Sequence, residues 1–219
     1  MGARNVTSQD GRRAAIDAGA AAAGLVVFSA CFHQAGAWRF AALCGLTTAA
    51  IAMGLSLRQA GQPGRILGCV VPASRPALWC TVGIGLGLLF GGAHRFSLGL
   101  SPFPGGLRTF AAVAGLVGAT EELIFRGWLQ GRLARFGWVT AIAAAAAAHA
   151  AYKTALFVWP AVPTGVDLAS LRTWTLAGGL VLGLLRQYTR SIYPALLAHA
   201  AFDLVTYGDL TQAPWWVWD

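Results

Sequence analysis

Apolar residues occur along this chain in long runs, separated by short segments that contain arginine, proline or glycine. A transmembrane helix needs about 20 predominantly apolar residues, within a range of roughly 17–25. The fifth and sixth runs are shorter than this, so we expect their helices to extend into the flanking residues. The runs are Ala14–Phe32, Trp38–Leu57, Ala77–Ala93, Leu107–Phe125, Gly137–Ala151, Thr173–Leu185 and Ile192–Tyr207.

Between the fifth and sixth runs, the segment Tyr152–Leu171 is apolar but interrupted by Trp159, Pro160 and Pro163. It could hold a re-entrant or half-spanning segment. The pattern therefore predicts an all-α protein, a polytopic transmembrane helix bundle with seven or eight spans. We expect one integral membrane domain, with three spans in residues 1–106 and a catalytic helical core in residues 107–219.

Composition supports the membrane class. Apolar residues make up 57% of the chain and charged residues only 11%, whereas about 25% of the residues in an ordinary soluble domain are charged. The 28 glycines also suit close approach between helices in lipid. The net charge of +8 is spread singly along the chain rather than gathered in one patch. This distribution argues against a nucleic-acid partner and suggests that the charges set membrane topology.

Charge asymmetry predicts an orientation. If the N-terminus is cytoplasmic and the spans alternate, eleven of the 16 basic residues fall in inner segments, the pattern of the positive-inside rule. We interpret the first run as a retained span rather than a cleaved signal, because a polytopic bundle follows it. Trp215, Trp216 and Trp218 would form an interfacial anchor. The predicted location is a membrane that the chain crosses several times, with the N-terminus on the cytoplasmic side.

A few ionisable residues lie within the predicted spans, where a charge costs roughly 2.5–3.5 kcal/mol even on lenient scales. Glu122 and Arg126 are four residues apart and can pair on one helical face, whereas Glu121 points about 100° away. His199 and Asp203 are also four apart. The acidic residues and histidines that carry the functional argument are Glu121, Glu122, His149, His199 and Asp203.

Side chains lean toward the N-terminus of their helix. We therefore expect Glu121, His149 and His199 to converge in the inner half of the bilayer. Taken singly, such residues have structural explanations, because a histidine can join helices by hydrogen bonds and a Glu–Arg pair can anchor a helix end. Their occurrence together favours a functional site.

Three motifs resemble those of the CPBP family, the CAAX-type prenyl endopeptidases and bacteriocin-processing or self-immunity membrane proteins. Residues Glu121 to Arg126 match the family's EExxxR motif, and His149 matches the histidine of its second motif. His199 to Asp203 match the third, Hxxx(N/D). The resemblance covers residues 107–207, about half of the chain.

The resemblance implies a glutamate-dependent intramembrane protease, a hydrolase of membrane proteins. Glu121 would be the general base, and His149 would hold and polarise the water. His199 and Asp203 would stabilise the oxyanion, with Asp203 either protonated or accepting from His199 Nδ1–H. Glu122 and Arg126 would support them.

The resemblance leaves open whether a metal is bound and whether the protein is an enzyme. We expect no metal cofactor, but Glu121, His149 and His199 form a chemically reasonable zinc set, with Asp203 behind them. The expected partners are the lipid bilayer and a membrane-anchored protein or peptide substrate, and the location that the resemblance implies is the inner (plasma) membrane of a bacterium. The alternative is a non-enzymatic immunity factor, or a small transporter that uses the same residues as a proton relay.

Overall fold

The computed structural model describes residues 8–69, 75–158 and 165–210, and the regular elements in these ranges are all helical, as predicted. A π-helical segment (Leu123–Leu129) follows α5 directly, and a 3₁₀ turn (Ala134–Phe136) follows α6. The α-helices are α1 (Ser8–Cys31), α2 (Ala37–Gln59), α3 (Pro63–Leu67), α4 (Pro76–Ser97), α5 (Thr109–Glu122), α6 (Gln130–Leu133), α7 (Trp138–Ala155), α8 (Leu168–Thr189) and α9 (Tyr193–Thr206).

Each apolar run contains a helix. The fifth and sixth extend beyond their runs as α7 and α8, as expected. The fourth run differs, because α5 ends at Glu122 and the chain continues with π geometry. Residues 159–164 and 211–219 lie outside the described residues. The re-entrant segment and the tryptophan anchor therefore stay predictions.

Four of the described helices are long and apolar enough to cross a membrane: α1 from Gln9, α2, α4 and α8. The predicted total of seven or eight spans is not confirmed. With 14 residues, α9 rises about 21 Å, less than the hydrocarbon core of about 30 Å. The 14 residues of α5 continue without a break into the π-helical segment and α6, so this helical stretch extends to Leu133. Large apolar side chains are exposed on the helices, among them Phe40 at 71% and Leu116 at 70%, as expected of surfaces that contact lipid.

The described chain forms two compact units. The first contains the described parts of residues 1–66 and 129–179, and the second those of residues 67–128 and 180–219. This grouping reflects packing in space. The expected division into residues 1–106 and a catalytic core of residues 107–219 stays a prediction.

In the first unit, α1 packs against both α2 and α7. Gly24 of α1 faces Gly45 of α2 so closely that a Cβ on either glycine would lie 2.5 Å from the carbonyl oxygen of the other. Arg132, from α6, donates to Asp17 of α1 at 2.6 Å. Small residues thus bring α1 and α2 together, and an ion pair ties α6 to α1.

In the second unit, α9 packs against α4 and α5. Gly83, Gly87 and Gly91 recur every fourth residue along one face of α4. A Cβ at Gly83 or Gly87 would overlap the carbonyl oxygen of Pro194 or Ala198 on α9. Without side chains in the way, the two helix backbones come into direct contact, which maximises van der Waals packing in lipid.

A buried arginine fixes the C-terminal end of α9. Arg95, near the end of α4, is only 4% exposed and donates from Nη2 to Asp209 Oδ2 at 2.6 Å and from Nε to the Ser101 carbonyl at 2.7 Å. Its Nη1 lies 3.4 Å from the carbonyl oxygen of Val205, in the last turn of α9. The backbone N–H of Gly105 donates to Asp209 Oδ1. Arg95 therefore stabilises carbonyls that a helix end leaves without intrahelical partners.

We expect Asp209→Asn to lower the melting temperature of the detergent-solubilised protein by a few degrees at pH 7. The hydrogen bond from Arg95 lowers the pKa of Asp209. A lowered folded-state pKa means that the stabilisation is complete above the ordinary aspartate value of about 3.9 and is lost as pH falls through the lowered value. The difference between wild type and variant should therefore persist to about pH 4 and shrink below it.

Melting curves between pH 7 and pH 2.5 check this prediction. Asp167→Asn is the matched control, because Asp167 is an exposed carboxylate that accepts from the backbone N–H of Ala169 rather than from an arginine. A difference for Asp209→Asn that stays constant down to pH 2.5 would contradict the role given to the Arg95–Asp209 pair.

Candidate functional site

The site begins at the end of α5, where both glutamates of the chain are buried. Glu121 is 4% exposed and Glu122 is fully buried. Small residues on the same side of α5 are also buried and let α9 approach. These residues share one face of the helix because they are three or four positions apart. They are Ala111, Ala114, Gly115 and Gly118.

Arg126 contacts Glu122 from within the π-helical segment. Its side chain is 1% exposed, and Nη1 donates to Glu122 Oε1 at 2.9 Å. The predicted Glu122–Arg126 pair is confirmed, although the α-helix assumed for it gives way to π geometry after Glu122. A π turn is closed by a hydrogen bond between residues five apart, one more than in an α turn, and such turns are frequent at functional sites.

His199 of α9 contacts the same oxygen of Glu122. Its Nδ1 lies 2.8 Å from Glu122 Oε1, and the two residues are 77 positions apart in sequence. With a proton on Nδ1 the ring donates to the carboxylate. Glu122 Oε1 can then accept from both Arg126 and His199, which holds the imidazole ring in one orientation.

Two further carboxylates lie near the other ring nitrogen. His199 Nε2 is 3.9 Å from Glu121 Oε2 and 3.8 Å from Asp203 Oδ2. Both separations exceed a direct hydrogen bond and are of the length that a bridging water spans. The predicted sharing of one face by His199 and Asp203 is confirmed, and Glu121 and His199 are near each other as expected.

One expected role of Asp203 is wrong. The sequence allowed Asp203 to accept from His199 Nδ1–H, but that nitrogen contacts Glu122 and Asp203 lies on the Nε2 side. The reason is physical: the long-range contact with Glu122 fixes the ring, and the spacing of His199 and Asp203 along α9 carries no information about it.

Gly118 is a site residue that sequence reasoning missed. A Cβ at this position would overlap Asp203 Oδ2 and lie 2.7 Å from His199 Cδ2. Because Gly118 precedes the glutamates by one helical turn, the absence of its side chain admits both polar groups of α9 beside them. The signal that could have found it is the run of small residues on that face of α5.

His149 lies in the first unit, on α7. It is 3% exposed, and its ring stacks near that of Tyr152, with centroids 6.4 Å apart and planes at 27°. The other predicted site residues belong to the second unit. The expected convergence of His149 with Glu121 and His199 therefore stays a prediction.

Metal binding is the alternative that the sequence leaves open. Within the ranges that the structure describes, no three His, Cys, Asp or Glu side chains are arranged to hold a metal ion. The zinc set of Glu121, His149 and His199 includes a residue of the other unit and is left as a prediction. In the second unit, His199 Nδ1 contacts the carboxylate of Glu122. A histidine that binds a metal through one ring nitrogen commonly directs the other nitrogen to a carboxylate in this way.

Comparison with known proteins gives a family match. The family model described as Type II CAAX prenyl endopeptidase Rce1-like matches residues 103–205. This range contains both glutamates, Arg126 and the three other predicted site residues, and it confirms the resemblance to the CPBP family. No curated protein and no solved structure matches the chain.

We expect Gly118→Ala to destabilise the protein by about 1–3 kcal/mol, the usual cost of overpacking a close contact. The added methyl must displace Asp203 or His199. Gly85→Ala is the matched control, since a Cβ at this exposed glycine of α4 meets no atom within 4 Å. Alanine is the better helix former by about 1 kcal/mol, so the control should be as stable as wild type or more so.

Chemical denaturation in mixed micelles would compare the three proteins. Equal stability of Gly118→Ala and Gly85→Ala would show that α9 does not approach α5 as closely as described.

Proposed function

We propose that this chain is an intramembrane endopeptidase, because residues 103–205 match the family model described as Type II CAAX prenyl endopeptidase Rce1-like. It would hydrolyse a peptide bond near the end of a membrane-associated protein or peptide, with Glu121 as the general base. The observation that carries the proposal is that the carboxylates of Glu121 and Asp203 both lie within 4 Å of His199 Nε2.

The two neighbouring glutamates have different surroundings, and this supports different roles. Glu122 Oε1 lies within hydrogen-bond distance of Arg126 Nη1 and His199 Nδ1. Charge-assisted hydrogen bonds from two partners hold this carboxylate in place, which suits a positioning group. Glu121 Oε2 lies on the Nε2 side of the ring, at a separation suited to a shared water. We therefore assign the base to Glu121 and the positioning of His199 to Glu122.

In the proposed reaction, Glu121 removes a proton from a water molecule, and the oxygen attacks the carbonyl carbon of the scissile bond. His199, with a proton on each nitrogen, donates from Nδ1 to Glu122 and from Nε2 to the developing oxyanion. The C–N bond then breaks, and Glu121 passes its proton to the departing amine. Asp203 would balance the charge of the imidazolium. His149 would help to hold the water.

The proposed substrate is a protein or peptide held at the membrane. The family's name points to CAAX processing of prenylated C-termini. Trimming of a C-terminal sorting helix or of a peptide leader would use the same chemistry. Each substrate would present its scissile bond from the membrane surface to a site within the helices.

We expect Glu121→Gln to reduce processing at least about 10²-fold, because it removes the proton acceptor while keeping the shape of the side chain. The measurement compares the membrane proteomes of a deletion strain complemented with wild type, Glu121→Gln or Asp167→Asn. A membrane protein that keeps an extra segment in the first variant, and loses it in the others, is the expected result. Asp167→Asn removes an exposed carboxylate outside the proposed site.

Unchanged processing by Glu121→Gln would overturn the proposed base. A strain phenotype that depends on Glu121, with no protein cleaved in any strain, would instead favour the alternative of an immunity factor or a proton-coupled transporter.

We propose metal-free catalysis, so dialysis against a chelator should leave the activity of the purified protein within about twofold of its starting value. The reason is that Glu121 and His199 supply the base and the oxyanion donor without a Lewis acid. Activity is followed on a membrane-anchored peptide identified by the proteomic comparison. A lasting loss that Zn²⁺ restores would overturn metal-free catalysis and favour the alternative zinc set of Glu121, His149 and His199.

A further inference from the structure

An open groove lies in the first unit, between α7 and the first turns of α8. Its volume is about 500 Å³, within the range of small-molecule sites. Alanines of α7 form its floor, so the groove exists because no larger side chain occupies it. The lining residues are Ala147, Ala150, Ala151, Thr154, Ala155, Val158, Arg172 and Leu176.

The lining is almost wholly apolar, which restricts what can bind. A peptide laid in the groove would bring an N–H and a C=O with every residue and find few partners for them. Unpaired backbone groups in an apolar environment are costly. A hydrocarbon chain has no such groups. The floor from Ala147 to Ala155 is about 12 Å long at the rise of an α-helix, long enough for part of an acyl chain.

Two polar features of the groove point to a headgroup. Arg172 is exposed and lies four residues from the start of α8, one of the candidate spans, which puts it near the level of lipid phosphates. Thr154 Oγ1 is buried and has no hydrogen-bond partner among the described residues. A guanidinium matches the geometry of a phosphate. After rotation about the Cα–Cβ bond, the Thr154 hydroxyl can donate to the ester oxygens beneath the phosphate.

We propose that this groove binds one anionic phospholipid of the membrane, with an acyl chain along the α7 alanines and the phosphate on Arg172. The lining contains none of the residues assigned to peptide hydrolysis, and this binding does not rest on the proposed function. Charge complementarity selects the lipid: Arg172 is the charged residue of the lining, so an anionic headgroup is favoured over a zwitterionic one.

Native mass spectrometry of the full-length protein tests the proposal, with synthetic phosphatidylglycerol and phosphatidylcholine of equal chain length as probes. Wild type should retain one phosphatidylglycerol and prefer it to phosphatidylcholine by about fivefold. Arg172→Gln should lose the preference. Arg39→Gln, which removes an exposed arginine of α2, should keep it.

Filling the groove separates specific binding from a general lipid coat. Ala151→Leu should reduce retention of both lipids, whereas Ala143→Leu should not, because Ala143 is exposed on α7 but does not line the groove. Should Ala151→Leu fail to fold, Thr154→Val provides the second variant, with weaker retention expected. Equal binding of the two lipids by wild type, or the same loss in Ala143→Leu, would overturn the proposal.

Discussion

The buried carboxylate of Glu122 constrains the whole arrangement of the second unit. A fully buried carboxylate is costly unless it is paired and hydrogen-bonded. Here two partners meet one of its oxygens, Arg126 from the π-helical segment and His199 from α9. Each partner must be brought to the carboxylate by a feature of the backbone. The π turn places Arg126, and the missing side chain at Gly118 lets α9 come close enough for His199.

The position of α9 follows from small residues on two neighbouring helices. The glycines of α4 touch backbone carbonyls of α9, and Gly118 of α5 meets its polar side chains. Arg95 then holds the last turn of α9 and Asp209. In lipid, helices gain little from burying apolar side chains, and backbone contact through small residues supplies much of the attraction. These close contacts leave α9 little freedom to slide, so the orientation of His199 is tied to the packing of the helices.

Local patterns predicted the helices and the Glu122–Arg126 pair, because both depend on residues that are near in sequence. The same patterns do not predict contacts between residues that are far apart in the chain. The contact between Glu122 and His199 joins residues 77 positions apart. It occupies Nδ1, the nitrogen that one interpretation of the sequence assigned to Asp203, and leaves Asp203 on the Nε2 side. The predicted span count rests on apolar runs. Inside the fourth run, α5 ends at Glu122, and hydropathy does not register a change from α to π geometry. Gly118 does carry a signal, the small residues of α5, but small residues in lipid indicate close helix packing and not a polar site.

The adjacency of the two glutamates explains how one short sequence can provide both a positioning group and a reactive one. Neighbours on a helix point about 100° apart, so only one of them can enter the space between Arg126 and His199. That one is Glu122, and its bond to Nδ1 directs Nε2 toward Glu121 and Asp203. The imidazole thus links the two glutamates through its opposite nitrogens. Under the proposed mechanism, a change at Glu122 would act on the chemistry by turning the ring, whereas a change at Glu121 would remove the proton acceptor itself. The two substitutions are therefore expected to differ in kind, although the residues are adjacent.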